Sequence, residues 1–143
     1  TTICYYIKGI CAASIRDYED ALVNFKKAKS VMEAKPKIKD DLQTRYIYTL
    51  SFLLNCYIDT YKFEKAEDVV GQLKALEEHK AYSSLDSKVR LFTSSTIGQM
   101  QLYNRKGDFQ KTLNLVPHIK DELAKYEDKI NKEVKIIIKI FMI

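Results

Sequence analysis

An all-α fold is predicted by three features of the sequence. Turn formers are scarce, with 4 Gly and 2 Pro in 143 residues, too few for the tight turns of a sandwich or barrel. Apolar residues recur at helical spacing along most of the chain. The same helical pattern then returns three times, at intervals of 45 and 46 residues, marked by Tyr18, Phe63 and Phe109.

In each copy a small residue stands three places after the aromatic: Ala21, Ala66 and Thr112. Phe25, Val70 and Val116 follow four later, and Ala28, Leu73 and Ile119 three beyond those. Positions i, i+3, i+7 and i+10 share one helical face, so the same four positions are expected to be buried in every copy. These following helices are expected over Tyr18–Ala34, Lys62–Lys80 and Phe109–Tyr126. A leading helix precedes each, over Ile3–Ser14, Ile38–Ile58 and Leu85–Asn104, with Tyr57 and Tyr103 in matching places. Tight turns near Ile15–Asp17, Asp59–Tyr61 and Asn104–Asp108 join leading to following helix. Asp17 and Asp108 are placed to cap the free N–H groups of the helices they precede, and Ser83 and Ser84 to cap the third leading helix. Pro36 suits a connection. Pro117 lies inside the third following helix, level with Gly71 in the second, and predicts a bend there. The chain reads as a single domain, 1–143, of units at about 1–36, 37–82 and 83–127 and an incomplete helix over 128–143.

Composition narrows the class. With 46% hydrophobic and 30% charged residues, disorder is disfavoured, and no run of about 18 apolar residues offers a membrane span. Cys4, Cys11 and Cys56 form no CxxC and read as small core residues in a reducing, cytoplasmic setting. Cys4 and Cys11, seven apart, would lie about 10 Å from each other on a helix, too far for a disulfide. The chain opens without Met and closes on Ile-Ile-Ile-Lys-Ile-Phe-Met-Ile, which predicts a piece of a longer protein. Ile136, Ile137, Ile140 and Phe141 would then form an open apolar edge, and a homodimer through this last helix is expected.

The repeated residues resemble the tetratricopeptide (TPR) repeat. That pattern has a small residue within the leading helix, an aromatic near its end, an aromatic opening the following helix, then Ala-x3-Phe-x2-Ala. The first unit matches through Gly9, Tyr18, Ala21, Phe25 and Ala28. The second matches through Tyr57, Phe63 and Ala66, and the third through Tyr103, Gly107, Asp108 and Phe109. The usual period is about 34 residues, so the longer unit is similar to the long-helix, TPR-like arrays of uncharacterised bacterial proteins. The resemblance implies a right-handed α-α superhelix of antiparallel hairpins with the leading helices lining a concave groove. It places Tyr6 and Ile10 of the first unit in that groove. Tyr48, Ser51, Asn55 and Asp59 follow in the second unit, and Ile97, Gln101 and Arg105 in the third. Family members that clamp a terminal carboxylate use Lys and Asn here. This chain has Tyr6, Ile10, Ser51 and Phe52, with only Asn55 matching, so the clamp does not carry over.

Asn55 with Asp59, and Gln101 with Arg105, are i, i+4 pairs on one helix face. Such a row can hydrogen-bond an extended or helical peptide, and tyrosine orders at low entropic cost. The activity expected is therefore that of a protein–protein interaction scaffold or adaptor taking a protein or peptide partner. No catalytic residue, metal ligand or cofactor is expected. His79 and His118 stand apart from metal-spaced partners, and no phosphate loop, HExxH or nucleophile elbow occurs. The carboxylates sit in helical charge patterns such as Glu64-Lys65-Ala66-Glu67-Asp68. A net charge of +5 raises nucleic-acid binding as a rival reading. The lysines are dispersed, however, and the aromatic interleaving of single-strand binders is missing. A third reading is a regulatory or sensory section of a larger signalling protein.

Overall fold

The computed structural model describes residues 1–141, leaving out the side chains of Glu133, Ile137, Ile140 and Phe141. The described residues form α-helices and no strand, as the sequence predicts. The helices are α1 (Thr2–Ser14), α2 (Tyr18–Glu33), α3 (Pro36–Asp41), α4 (Gln43–Asp59), α5 (Phe63–Glu77), α6 (Leu85–Lys106), α7 (Phe109–Lys125) and α8 (Lys132–Phe141), with a 3-10 turn at Lys80–Tyr82 before α6. Helices α1 and α2, α4 and α5, and α6 and α7 pair through short turns, and α4 also packs on α2 and α6.

The three turns share one hydrogen-bond pattern. The N–H of Asp17 reaches back to the carbonyl of Ala12 (2.9 Å), that of Lys62 to Tyr57 (2.8 Å) and that of Asp108 to Tyr103 (2.8 Å). One residue earlier, Arg16 donates to Ala13, Tyr61 to Ile58 and Gly107 to Asn104. This is the Schellman closure, which needs a left-handed residue at its centre. That residue is Arg16 (φ 62°), Tyr61 (φ 58°) and Gly107 (φ 79°). Only the third is glycine, and the left-handed region costs other residues about 1–2 kcal/mol. Arg16→Gly is therefore expected to stabilise the chain by about 1 kcal/mol, seen as a higher urea midpoint at unchanged slope. An unmoved midpoint would count against a strained first turn.

The Asp17 carboxylate accepts from the N–H of Asp20 at 3.1 Å, as a cap should, and Ser84 accepts from Ser87 at 3.2 Å. Asp108 departs from expectation and makes no capping bond. Its carboxylate lies 3.7 Å from both Lys106 and Lys111, whose charges draw it away from the helix end.

In the first two units three of the four repeated positions are buried as expected, while the opening aromatics Tyr18 and Phe63 are half-buried. Ala21, Phe25 and Ala28, then Ala66, Val70 and Leu73, are buried. In the third, Thr112 and Ile119 are buried, but Val116 is half-buried and Phe109 is 63% exposed, against expectation. Among the described residues α8 makes its substantial helix contact with α6, and Phe109, at the start of α7, belongs to none of the apolar clusters. Two glycines mark close approaches. A Cβ on Gly9 would lie 2.6 Å from the Phe25 ring, and one on Gly98 would collide with the Leu54 side chain. Gly71 faces open space, and α7 continues through Pro117.

Three further expectations are corrected. The leading helix drawn over Ile38–Ile58 is broken at Leu42 (φ −107°, ψ 39°). Pro36, with its fixed φ, opens the short α3 at its first turn. The break also lets Gln43 bond onward to the Ala81 carbonyl and the Ser87 hydroxyl. The second following helix stops at Glu77, and a 3-10 turn takes over at Lys80. There the His79 ring nitrogen accepts from the Ala81 N–H, and Tyr82 plugs into the core at 0% exposure. Cys4 and Cys11 are exposed, and only Cys56 is buried. Helix α1 has α2 as its main neighbour and buries Thr2, Gly9 and Ala12, which leaves the cysteine face bare. Of the apolar edge on α8, Ile136 is 49% exposed. The side chains of Ile137, Ile140 and Phe141 lie outside the described residues.

Candidate functional site

Four residues singled out in the sequence meet in one hollow of about 570 Å³ between α4 and α6. Asn55 and Asp59 come from α4, Gln101 and Arg105 from α6, and Ile58 and Asn104 complete the lining. The i, i+4 spacing aims each pair outward from its own helix, and the packing of α4 on α6 sets the two pairs face to face. Arg105 lies 3.3 Å from Asp59, with both side chains about two-fifths exposed. So open an ion pair contributes under about 1 kcal/mol. The hollow thus presents amides, a carboxylate and a guanidinium without spending them on the fold.

A second hollow, of about 580 Å³, lies nearer the start of α4. Tyr6 and Tyr48 line it, together with Gln43, Arg45 and Ser87. Arg45 stacks 5.5 Å over the Tyr6 ring, and Arg90 stacks 5.5 Å over Tyr48 while donating to its hydroxyl. Arg90 is held in turn by Asp86 at 2.8 Å. Tyr6 of α1 is thus covered by an arginine of α4, and Tyr48 of α4 by an arginine of α6. Burial raises the Tyr6 hydroxyl above its usual range, and the Arg45 charge opposes this. Tyr6 also packs edge-on against Phe25 and Phe52, so only its rim is available to a ligand.

The remaining three residues line neither hollow. Ile10 is 36% exposed. The Ser51 hydroxyl is turned back to the Ile47 carbonyl (3.0 Å). Ile97 packs with Met100, Ile119 and Ile138. Arg45 and Arg90 escaped the sequence reading. Their separation of 45 residues is the repeat period itself, and extending the repeat to the starts of the leading helices would have found them.

Several lysines are engaged within the chain, among them Lys26 and Lys27 of the dense basic run that raised the nucleic-acid reading. Lys26 and Lys65 both lie over the Tyr57 ring, at 5.8 and 6.0 Å, and Lys27 lies over Tyr5 at 5.5 Å. Among the described residues, no group of three or more His, Cys, Asp or Glu is placed to hold a metal ion. No described helix is long and apolar enough to cross a membrane. No family model, curated protein or solved structure matches the chain.

Proposed function

We propose that the chain is a protein-interaction module, built as a TPR-like right-handed superhelix, that takes a peptide or protein partner along the face formed by α1, α4 and α6. One observation carries the reading: Asn55, Asp59, Gln101 and Arg105 converge from two helices on one open hollow. The 45–46-residue spacing of the three Schellman turns and the packing of α4 on α6 support the stacked arrangement. A peptide backbone offers alternating donors and acceptors. The amides of Asn55 and Gln101 can meet both kinds, and the Asp59–Arg105 pair can open to either charge. The role is that of a scaffold or adaptor, without chemistry of its own.

The test is capture of partners from a lysate by the chain and by a variant carrying Asn55→Glu and Arg105→Glu. Both residues are exposed, so the fold is expected to survive, as circular dichroism would register. The variant is expected to lose most of the captured partner. Undiminished capture by the folded variant would reject this hollow as the binding site.

A further inference from the structure

A crevice of about 290 Å³ opens where α5, α6 and α7 meet, and none of the groove residues lines it. Its floor is polar: Ser95, Thr96 and Gln99 are only 4%, 6% and 4% exposed. Forty-six residues earlier, the same places hold Thr49, Leu50 and Leu53. Leu53 lines the corresponding crevice between α2, α4 and α5. On the facing wall, Glu122 of α7 stands where α5 has the buried Leu76. Three apolar core positions of one unit have thus become polar in the next, and all three border one crevice.

Ser95 is used by the fold, since its hydroxyl lies 3.2 Å from the Glu77 carboxylate and 3.3 Å from the Phe92 carbonyl. Gln99 is not. Its amide makes no hydrogen bond to any described residue, and the residue as a whole is 4% exposed. An amide without a protein partner needs water or a ligand at hand, and that of Gln99 keeps its remaining solvent contact where the residue lines the crevice, at a level of the fold where leucine fits one unit earlier. At the rim, Lys74 and Lys88 form no ion pair among the described residues, whereas Lys125 sits 4.0 Å from Glu122. Phe92 and Ile119 supply apolar wall between floor and rim.

We propose that this crevice binds a small organic carboxylate: its anionic group between Lys74 and Lys88, its apolar body against Phe92 and Ile119, and a hydroxyl or amide on Gln99. Lys74, Lys88 and Lys125 stand against Glu77 and Glu122 in the lining, so the crevice carries a net positive charge even though Glu77, hydrogen-bonded by Ser95, keeps its own. The volume matches the lower end of small-molecule pockets, about 300 Å³.

The test titrates 4-hydroxybenzoate and, separately, N-acetylglutamate at millimolar concentration into the 15N-labelled chain. At least one probe is expected to give saturable shifts of the Gln99 side-chain amide and of the backbone from Thr96 to Met100. Gln99→Leu, which restores the residue of the preceding unit, is expected to melt no lower than the parent and to bind about tenfold more weakly. Lys88→Glu, at the exposed rim, is expected to weaken binding similarly with the fold intact. It keeps the test decisive should Gln99→Leu not fold. No saturable shift at Gln99 with either probe would overturn the proposal. So would shifts spread over the surface lysines, or undiminished binding by Lys88→Glu or by folded Gln99→Leu.

Discussion

Phe25→Ala is expected to remove about 3–5 kcal/mol of unfolding free energy. The ring is fully buried, stacks on Phe52 at 5.2 Å and meets Tyr6 edge-on at 6.4 Å. It also fills the space beneath Gly9, where a Cβ would meet three ring carbons at 2.6 to 2.9 Å. Gly9→Ala should therefore cost about 2 kcal/mol by overpacking, despite the gain of about 1 kcal/mol in helix propensity. The ring cannot retreat, because Phe52 and Tyr6 hold it from two sides. Phe25→Leu should relieve the clash, so the double variant is expected to be more stable than the sum of its parts by about 1–2 kcal/mol. Gly71→Ala, which meets nothing within 4 Å, serves as the control and should stabilise. Urea unfolding of the parent, Gly9→Ala, Phe25→Leu and the double variant measures the cycle, and strict additivity would refute the close packing of α1 on the ring.

Tyr82→Ala should be nearly as damaging, about 3–5 kcal/mol, because its fully buried ring joins the connector before α6 to the main core. Tyr82→Phe should cost about 1 kcal/mol or less, since the hydroxyl reaches the Lys39 carbonyl only at 3.5 Å. Burial, with the Asp40 charge adding to it, pushes the Tyr82 hydroxyl up to about 12. Burial and the nearby Glu33 raise Tyr46 as well. In the unfolded chain a tyrosine ionises near pH 10. Between pH 10 and 12 the unfolded chain gives up protons that the folded chain keeps, so stability falls as pH rises. Below pH 10 both states hold the proton and this contribution is constant. Tyr82→Phe is expected to make the alkaline decline shallower, and an unchanged slope in urea unfolding from pH 9 to 12 would count against it.

The helices and their turns were legible in the sequence because their signals are local. The spacing of Tyr18, Phe63 and Phe109 located α2, α5 and α7 to within a residue at their starts. What escaped depends on neighbours in space. The exposure of Cys4 and Cys11 follows from the scant covering of α1. The plug formed by Tyr82 carries no periodic signal, since it stands outside the repeated helices. Asn55, Asp59, Gln101 and Arg105 could be brought together on paper, as two i, i+4 pairs on neighbouring leading helices. Ile97 could not be placed, because it faces the contact with α7 and α8 and not the hollow. The crevice around Gln99 was hidden for another reason. Comparing the copies for what they share passes over Leu53 becoming Gln99.

Every substantial helix–helix contact joins helices that are next, or next but one, along the chain. Folding therefore needs only short loops to close, and chains with such local contacts fold in roughly microseconds to milliseconds. Among the described residues, the same layout gives α1 and α8 no substantial contact with each other. Hydrogen exchange should consequently be graded along the chain, with amides of α4, which is packed on both sides, outlasting those of α1 and α8.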